Sequence, residues 1–147
     1  MIKIDVRPAD FDIASETLEV AGQGGGAIAS FVGQVRDDGN LETLELEYYP
    51  AMTRKALQDI AETAQSRWTL HAITIIHRVG KLSVGDNIVL VVTGSDHRNS
   101  AMKACAFIMD RLKTVAPFWK KETRTDGAAN WVEARDSDAT ASKEWEK

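Results

Sequence analysis

The 147-residue chain holds a single cysteine, Cys105, so no disulfide can form within it. That excludes the small secreted scaffold held together by bridges. No apolar run approaches the roughly 20 residues of a membrane-spanning helix, and the opening MIKIDVRPADF lacks the apolar core of a secretory signal. Both absences predict a cytoplasmic protein. A basic excess is missing too: 18 Lys and Arg face 22 Asp and Glu, a net charge of -4. This argues against a general nucleic-acid binder but leaves room for a local basic pocket. No Cys/His cluster has zinc-ligand spacing, so no metal site is expected, and no cofactor is implied. Nor is there a G-x-S-x-G elbow. GQGGGA, from Gly22, lacks the GK[ST] ending of a P-loop and reads as a flexible connector.

What is present is ordinary for a soluble globular chain: 44% apolar and 27% charged residues. One domain over residues 1–147 is expected. IKIDV alternates as a strand ended by Pro8. A short helix follows, capped near Asp10 or Asp12, with Ile13, Leu18 and Val20 as its apolar contacts. AIASFVGQVR predicts a long strand ending at Arg36. With RDDGN as the turn and LETLELEYYP returning, it suggests an antiparallel hairpin. Pro50 begins a break, and Thr53 to Trp68 has helical spacing of Ala56, Leu57, Ile60, Ala61 and Ala64. HAITIIHRVG and NIVLVVTGSD are strands joined through KLSVGD, with a turn at Gly85-Asp86. From about His97 to Val115, Ala101, Cys105, Ile108, Leu112 and Val115 form one buried helical stripe. Pro117 stops this helix, FWKKETR reads as a strand, and the tail after Arg135 is weakly specified. The sum is an α+β fold with a mixed or antiparallel sheet.

Candidate chemistry gathers at both ends of the long helix. In SDHRNS, Ser95 or Asp96 is the expected N-cap, placing His97 and Arg98 in the first turn. Free N–H groups and two cations there suit an anion, whereas side chains folding back onto Asp96 would be merely structural. Lys113, in the last turn, either complements the helix dipole or, partly buried, supplies a free amine. If alternation holds after Pro117, Phe118, Lys120 and Glu122 share one face, and Trp119 and Lys121 the other. Lys120 then points into a cleft or guards an edge strand. Arg36 ends its strand as a pocket cation or as an ion-pair partner of Asp37 or Asp38. Cys105, on the core stripe, reads as an inert small hydrophobe.

Taken in order, FVGQVR, LELEYYPAM, IIHRVGKLSVGD, SDHRNSA, FIMDRLKTVAPFWKKE and WVEAR resemble the large, catalytic subunit of molybdopterin synthase, the MoaE family. The matches run from about Phe31 to Arg135. LKT-x-APFWK is the most specific of them. The resemblance implies an α/β hammerhead fold with packed helices. It also implies a sulfurtransferase of molybdenum-cofactor biosynthesis, which converts cyclic pyranopterin monophosphate (precursor Z) to molybdopterin. The sulfur donor would be a small ubiquitin-like carrier subunit ending in a Gly-Gly thiocarboxylate. The assembly would be a homodimer within a heterotetramer. Carried over residue by residue, the resemblance makes Lys113 and Lys120 catalytic. Gln34, Val35, Arg36, His97, Arg98, Lys113, Lys120, Lys121 and Glu122 become substrate-binding. Gln34 stands where the family often has lysine, so the resemblance carries no charge-dependent role over to it. A second reading, a silent module that only holds the carrier or a phosphorylated metabolite, is disfavoured by the presence of both lysines.

Overall fold

Two stretches, AITII and IVLVV, are apolar at nearly every position, the pattern of strands covered on both faces. They lie at the centre of the fold. The computed structural model describes residues 1–132 and 136–146, so Glu133, Ala134 and Arg135 of the WVEAR motif fall outside the described residues. In chain order the elements are β1 (Ile2–Arg7), α1 (Ile13–Ala21), β2 (Ala27–Gln34), β3 (Leu41–Tyr48), α2 (Pro50–Arg67), β4 (Ala72–Arg78), β5 (Gly80–Ser83), β6 (Asn87–Ser95), α3 (Arg98–Thr114), β7 (Phe118–Arg124), β8 (Ala129–Val132) and α4 (Asp136–Lys143). A 3-10 turn, Glu144–Glu146, follows.

The strands form two four-stranded sheets, ordered β1-β4-β6-β2 and β5-β3-β7-β8. In the first, β1 runs parallel to β4, and the other pairings are antiparallel. The second is antiparallel throughout. The expected α+β class with mixed and antiparallel sheets is what is found. One face of the first sheet packs under α1 through Phe11, Val20, Ala72, Ile76, Leu90 and Val92. The other face sends Ile73, Ile75, Val89 and Val91 into the larger core with Leu57, Phe107 and Ile108 of α2 and α3.

The expected hairpin between β2 and β3 does not form. Residue Val35, at the end of β2, donates its N–H to Asp86 O and accepts from Gly85 N, both at 2.9 Å. The β5–β6 turn thus captures this end of the strand, and the chain leaves for the second sheet. There β3 pairs with β5 and β7 instead. KLS, expected as connection, is therefore strand. In β3 the buried leucines are Leu41, Leu44 and Leu46, a spacing of three followed by two. A register shift between Leu41 and Thr43 reconciles them with a single face.

Further boundaries differ for local reasons. Pro50 opens α2 rather than interrupting the chain, because proline's missing N–H costs nothing in a first helical turn. In α1, Asp12 caps as expected, accepting from Ser15 N at 3.0 Å. Ile13 and Leu18 nevertheless face solvent. The second buried residue beside Val20 is Glu16, held by Lys3 Nζ at 2.5 Å. Val115 is also exposed. GQGGGA is a fitted turn: Gly25 has φ +106°, and a Cβ there would stand 2.5 Å from the His71 ring and 2.7 Å from Ser95 O.

The tail expected to be weakly specified is anchored to α3. Trp145 packs edge-on against Phe107 and Trp68, and its indole N–H donates to Asp110 Oδ2 at 2.7 Å. Arg67 donates to Trp145 O, and Arg111 and Thr114 meet Ser142. Phe107, fully buried, also carries the Arg67 and Arg111 guanidinium groups over its ring. Phe107→Ala is expected to cost about 3–5 kcal/mol, read by urea denaturation, and to expose the segment after residue 132 to limited proteolysis. A variant as stable and protease-resistant as wild type would show that the aromatic cluster does not fasten the tail.

Candidate active site

Where the two sheets meet, the end of β2, the C-terminal turns of α3 and the inner face of β7 enclose a cavity of about 460 Å³. From the first sheet come Phe31, Gln34, Val35, Arg36 and His77. Met109, Leu112, Lys113 and Ala116 come from α3 and its end, and Phe118, Lys120 and Glu122 from β7. Asp38, Leu41 and, from α4, Asp138 also line it.

The alternation expected in FWKKETR holds and explains its lysines. Phe118, Lys120 and Glu122 face the cavity. Trp119 turns outward, its ring edge-on to Tyr49 at 5.2 Å. Lys121, on the outward parity and paired in register with Glu45 and Trp131, is not brought to the cavity. Pro117 ends α3 so that the chain reverses at once into β7, and Lys113 and Lys120 reach one space from different elements. Lys113 is exposed and Lys120 half-buried. Val35 is buried, while Gln34 and Arg36 are exposed. The Gln34 amide donates to Asn87 Oδ1 at 2.9 Å.

His97 and Arg98 lie elsewhere. His97, not Ser95 or Asp96, is the N-cap of α3, and it makes no side-chain cap hydrogen bond. Asp96 is engaged by His71 Nε2 at 2.7 Å, and the Ser95 hydroxyl donates to Thr69 O, so neither serves as the cap. Fifteen residues of helix separate Arg98 from Lys113, about 22 Å at 1.5 Å per residue. Neither His97 nor Arg98 lines the cavity. Within one chain, the two halves of the expected site stay apart.

A tie behind two wall residues, Asp38 and Glu122, was not anticipated. Arg124 bridges Asp38 and Glu122, and its hydrogen bond holds the Asp38 carboxyl below the usual range. Nothing in the sequence marks a pair 86 positions apart. His77 did carry a signal, being the one titratable side chain on the inward parity of Ile73 and Ile75. Cys105 is buried, and burial pushes its thiol up to about 11. At neutral pH it stays protonated, as befits an inert core residue.

The model of the family described as MoaE protein matches residues 6–115. The molybdopterin synthase catalytic subunit of Vibrio cholerae is 49% identical over 148 residues, covering 98% of each chain. The solved molybdopterin biosynthesis MoaE protein of Burkholderia ambifaria superposes with a TM-score of 0.87 at 45% identity, covering 100% of this chain and 99% of that one. The solved complex of subunits 1 and 2 of the Helicobacter pylori molybdopterin-converting factor gives a TM-score of 0.70 at 22% identity, covering 92% and 90%. That last likeness shows a shared fold. The fold expected from the resemblance is borne out.

His77 is the wall residue whose titration the surroundings displace most clearly. Burial pushes its imidazole down to about 4. The hydrogen bond to the Arg78 carbonyl opposes the shift, and the nearby charges of Lys120 and Lys113 reinforce it. In the unfolded chain the ring takes up its proton near pH 6.5. Acidification between these values therefore protonates the unfolded state first and lowers stability. His77→Gln, which cannot titrate, should show a shallower loss of unfolding free energy across that window in urea denaturation. A slope as steep as wild type's would show that His77 is not buried neutral.

Proposed function

This chain belongs to the MoaE family, the molybdopterin synthase catalytic subunits of molybdenum-cofactor biosynthesis, and from that premise we propose the reaction served by the cavity. A small ubiquitin-like carrier subunit presents its C-terminal Gly-Gly thiocarboxylate. Sulfur passes from it to cyclic pyranopterin monophosphate in the cytoplasm, and two such transfers build the dithiolene of molybdopterin. In each, the carrier's carbon–sulfur bond breaks and a carbon–sulfur bond to the pterin side chain forms. A carbon–oxygen bond at that same side-chain carbon breaks, its oxygen leaving as water or staying with the phosphate. The carrier leaves as a carboxylate, its lost sulfur replaced by oxygen from water. The observation that carries this reading is the convergence of Lys113, Lys120 and Arg36 on one cavity large enough for a small molecule and the end of a peptide. A module that merely holds the carrier has no need for two amines from separate elements beside the same ligand. Mixing the protein with thiocarboxylated carrier and precursor should yield dithiolene product by mass spectrometry. Absence of product with an intact carrier thiocarboxylate would overturn the reading.

The roles divide by chemistry. Arg36 and Lys120 supply fixed positive charge for the phosphate and for the negative charge that develops as sulfur is transferred. Lys113 gives up a proton, serving as base or as nucleophile towards the carrier's terminal carbonyl. Arginine remains cationic under these conditions. Lys113→Arg should thus fold and bind carrier yet lose nearly all single-turnover product formation, as Lys113→Ala does. Lys120→Arg should keep more activity. Wild-type rates in Lys113→Arg would leave Lys113 only as a charge clamp.

His97 and Arg98 enter this scheme through the homodimer. Standing about 22 Å from Lys113 along α3, they serve the second protomer's cavity, and that protomer's pair serves this one. Two inactive variants, Lys113→Ala and Arg98→Ala, should therefore complement each other when co-refolded. Each mixed dimer holds one intact site, so random mixing should restore about one quarter of wild-type turnover. Mixtures no more active than the separate variants would place Arg98 outside the shared site, and light scattering on the same samples checks the dimer.

A further inference from the structure

We propose that His77 is a ligand-recognition residue of this cavity, its Nε2 accepting a hydrogen bond from a ring N–H or amino group of the bound nitrogen heterocycle. The inference rests on the pyranopterin reading and deepens it, because it concerns the end of the ligand that the cations do not hold.

Three geometric facts converge on the imidazole. His77 continues the inward row Ile73, Ile75 to the end of β4, where that row reaches the cavity. Its Nδ1 lies 2.8 Å from Arg78 O. A carbonyl only accepts, so Nδ1 carries the proton and Nε2 presents a lone pair. The ring also stacks on Phe118, with centroids 3.8 Å apart and planes 17° from parallel. Stacking and the Nδ1 hydrogen bond together hold the ring's orientation.

The polar inventory of the wall gives that lone pair its use. Arg36, Lys113 and Lys120 offer donors only, which suits a phosphate and a carbonyl. A pterin ring adds N–H and amino donors that need acceptors when removed from water. The carboxylates of Asp38 and Glu122 are both occupied by Arg124. Among the described residues, the side-chain acceptors left on the wall are Asp138 of α4, the Gln34 carbonyl beside its bond to Asn87, and the His77 lone pair, whose ring alone is fixed by stacking. A neutral imidazole supplies an acceptor without placing a carboxylate beside the phosphate. It also adds no third charge beside the two lysines, in keeping with the downward shift that burial imposes on it.

The test uses the intact wild-type protein labelled with 15N-histidine. At neutral pH the His77 Nε2 resonance should lie in the unprotonated range and move upfield as cyclic pyranopterin monophosphate saturates the site. Inorganic phosphate at saturation should leave it in place. In calorimetry, His77→Phe, which keeps the stack on Phe118, should weaken precursor binding about tenfold while leaving phosphate affinity unchanged. His77→Gln, whose amide oxygen reaches towards the Nε2 position, should recover part of the loss. Precursor bound with no Nε2 shift, or a folded His77→Phe with wild-type affinity, would overturn the inference while leaving the pyranopterin reading intact. Failure of the wild type to bind precursor at all would overturn both.

Discussion

Burial of the β4–β6 pair on both faces is the constraint from which the rest of the structure follows. The two strands carry apolar side chains at both parities, so neither face can be left to water. α1 must cover one face, and α2 with α3 the other. Covering the first brings α1 close to β6, where Gly94 has room for no side chain: a Cβ there would stand 2.9 Å from Val20 Cγ1. Covering the second lays α3 across the sheet and fixes where each of its ends emerges. The cavity sits at one of those ends because the buried row of β4 finishes there, in a histidine rather than another isoleucine.

The second sheet completes the cavity by a different route. Its strands are gathered from three distant parts of the sequence, β3, β5 and the β7–β8 pair. They assemble because Leu44, Leu46 and Leu82 need cover and because the β5–β6 turn holds the end of β2. Loop geometry at residues 36–40 has little say. The same turn fixes Val35, and with it the direction in which Gln34 and Arg36 leave the strand. A backbone capture of two hydrogen bonds thus positions residues whose side chains carry the proposed chemistry. Arg124 then ties Asp38 to Glu122 across the mouth, joining the loop after β2 to β7. Without that tie, two carboxylates would stand beside Lys113, Lys120 and the phosphate that Arg36 and Lys120 are proposed to bind.

Much of the fold was legible because periodicity records burial directly. The α3 stripe, the alternation of β7 and the Asp12 cap were all readable, and each depends on neighbours a few residues away. The pairing of β2 was not. A strand followed by a turn and another strand is compatible with a hairpin, and only the long-range claim of Val35 by Asp86 decides otherwise. Pro50 misled because the same missing N–H that ends a helix is harmless at its start. Glu16 shows the limit of reading burial from apolarity, since a salt bridge from Lys3 places a carboxylate where Leu18 was expected. In the site, Lys113, Lys120 and Glu122 were placed by parity and helix position, whereas Lys121 was included by the resemblance against that same parity, which does hold. The Arg124 bridge had no local signature to read.

The spacing of charge along α3 bears on the assembly. The helix presents His97 and Arg98 where its N–H groups emerge, and Lys113 where its carbonyls do. Lys113 is favoured there by the helix dipole, whereas Arg98 is opposed by it, at a cost of up to about 1 kcal/mol. Among the described residues Arg98 makes no hydrogen bond or ion pair that relieves that cost, and Asp96 is turned to His71. An anion brought to this end would relieve it. In the proposed dimer, the phosphate held by the other protomer's cavity is such an anion. The arrangement that looks unfavourable in one chain becomes complementary in two. Substrate and dimer would then stabilise each other, because the same phosphate neutralises cations from both protomers.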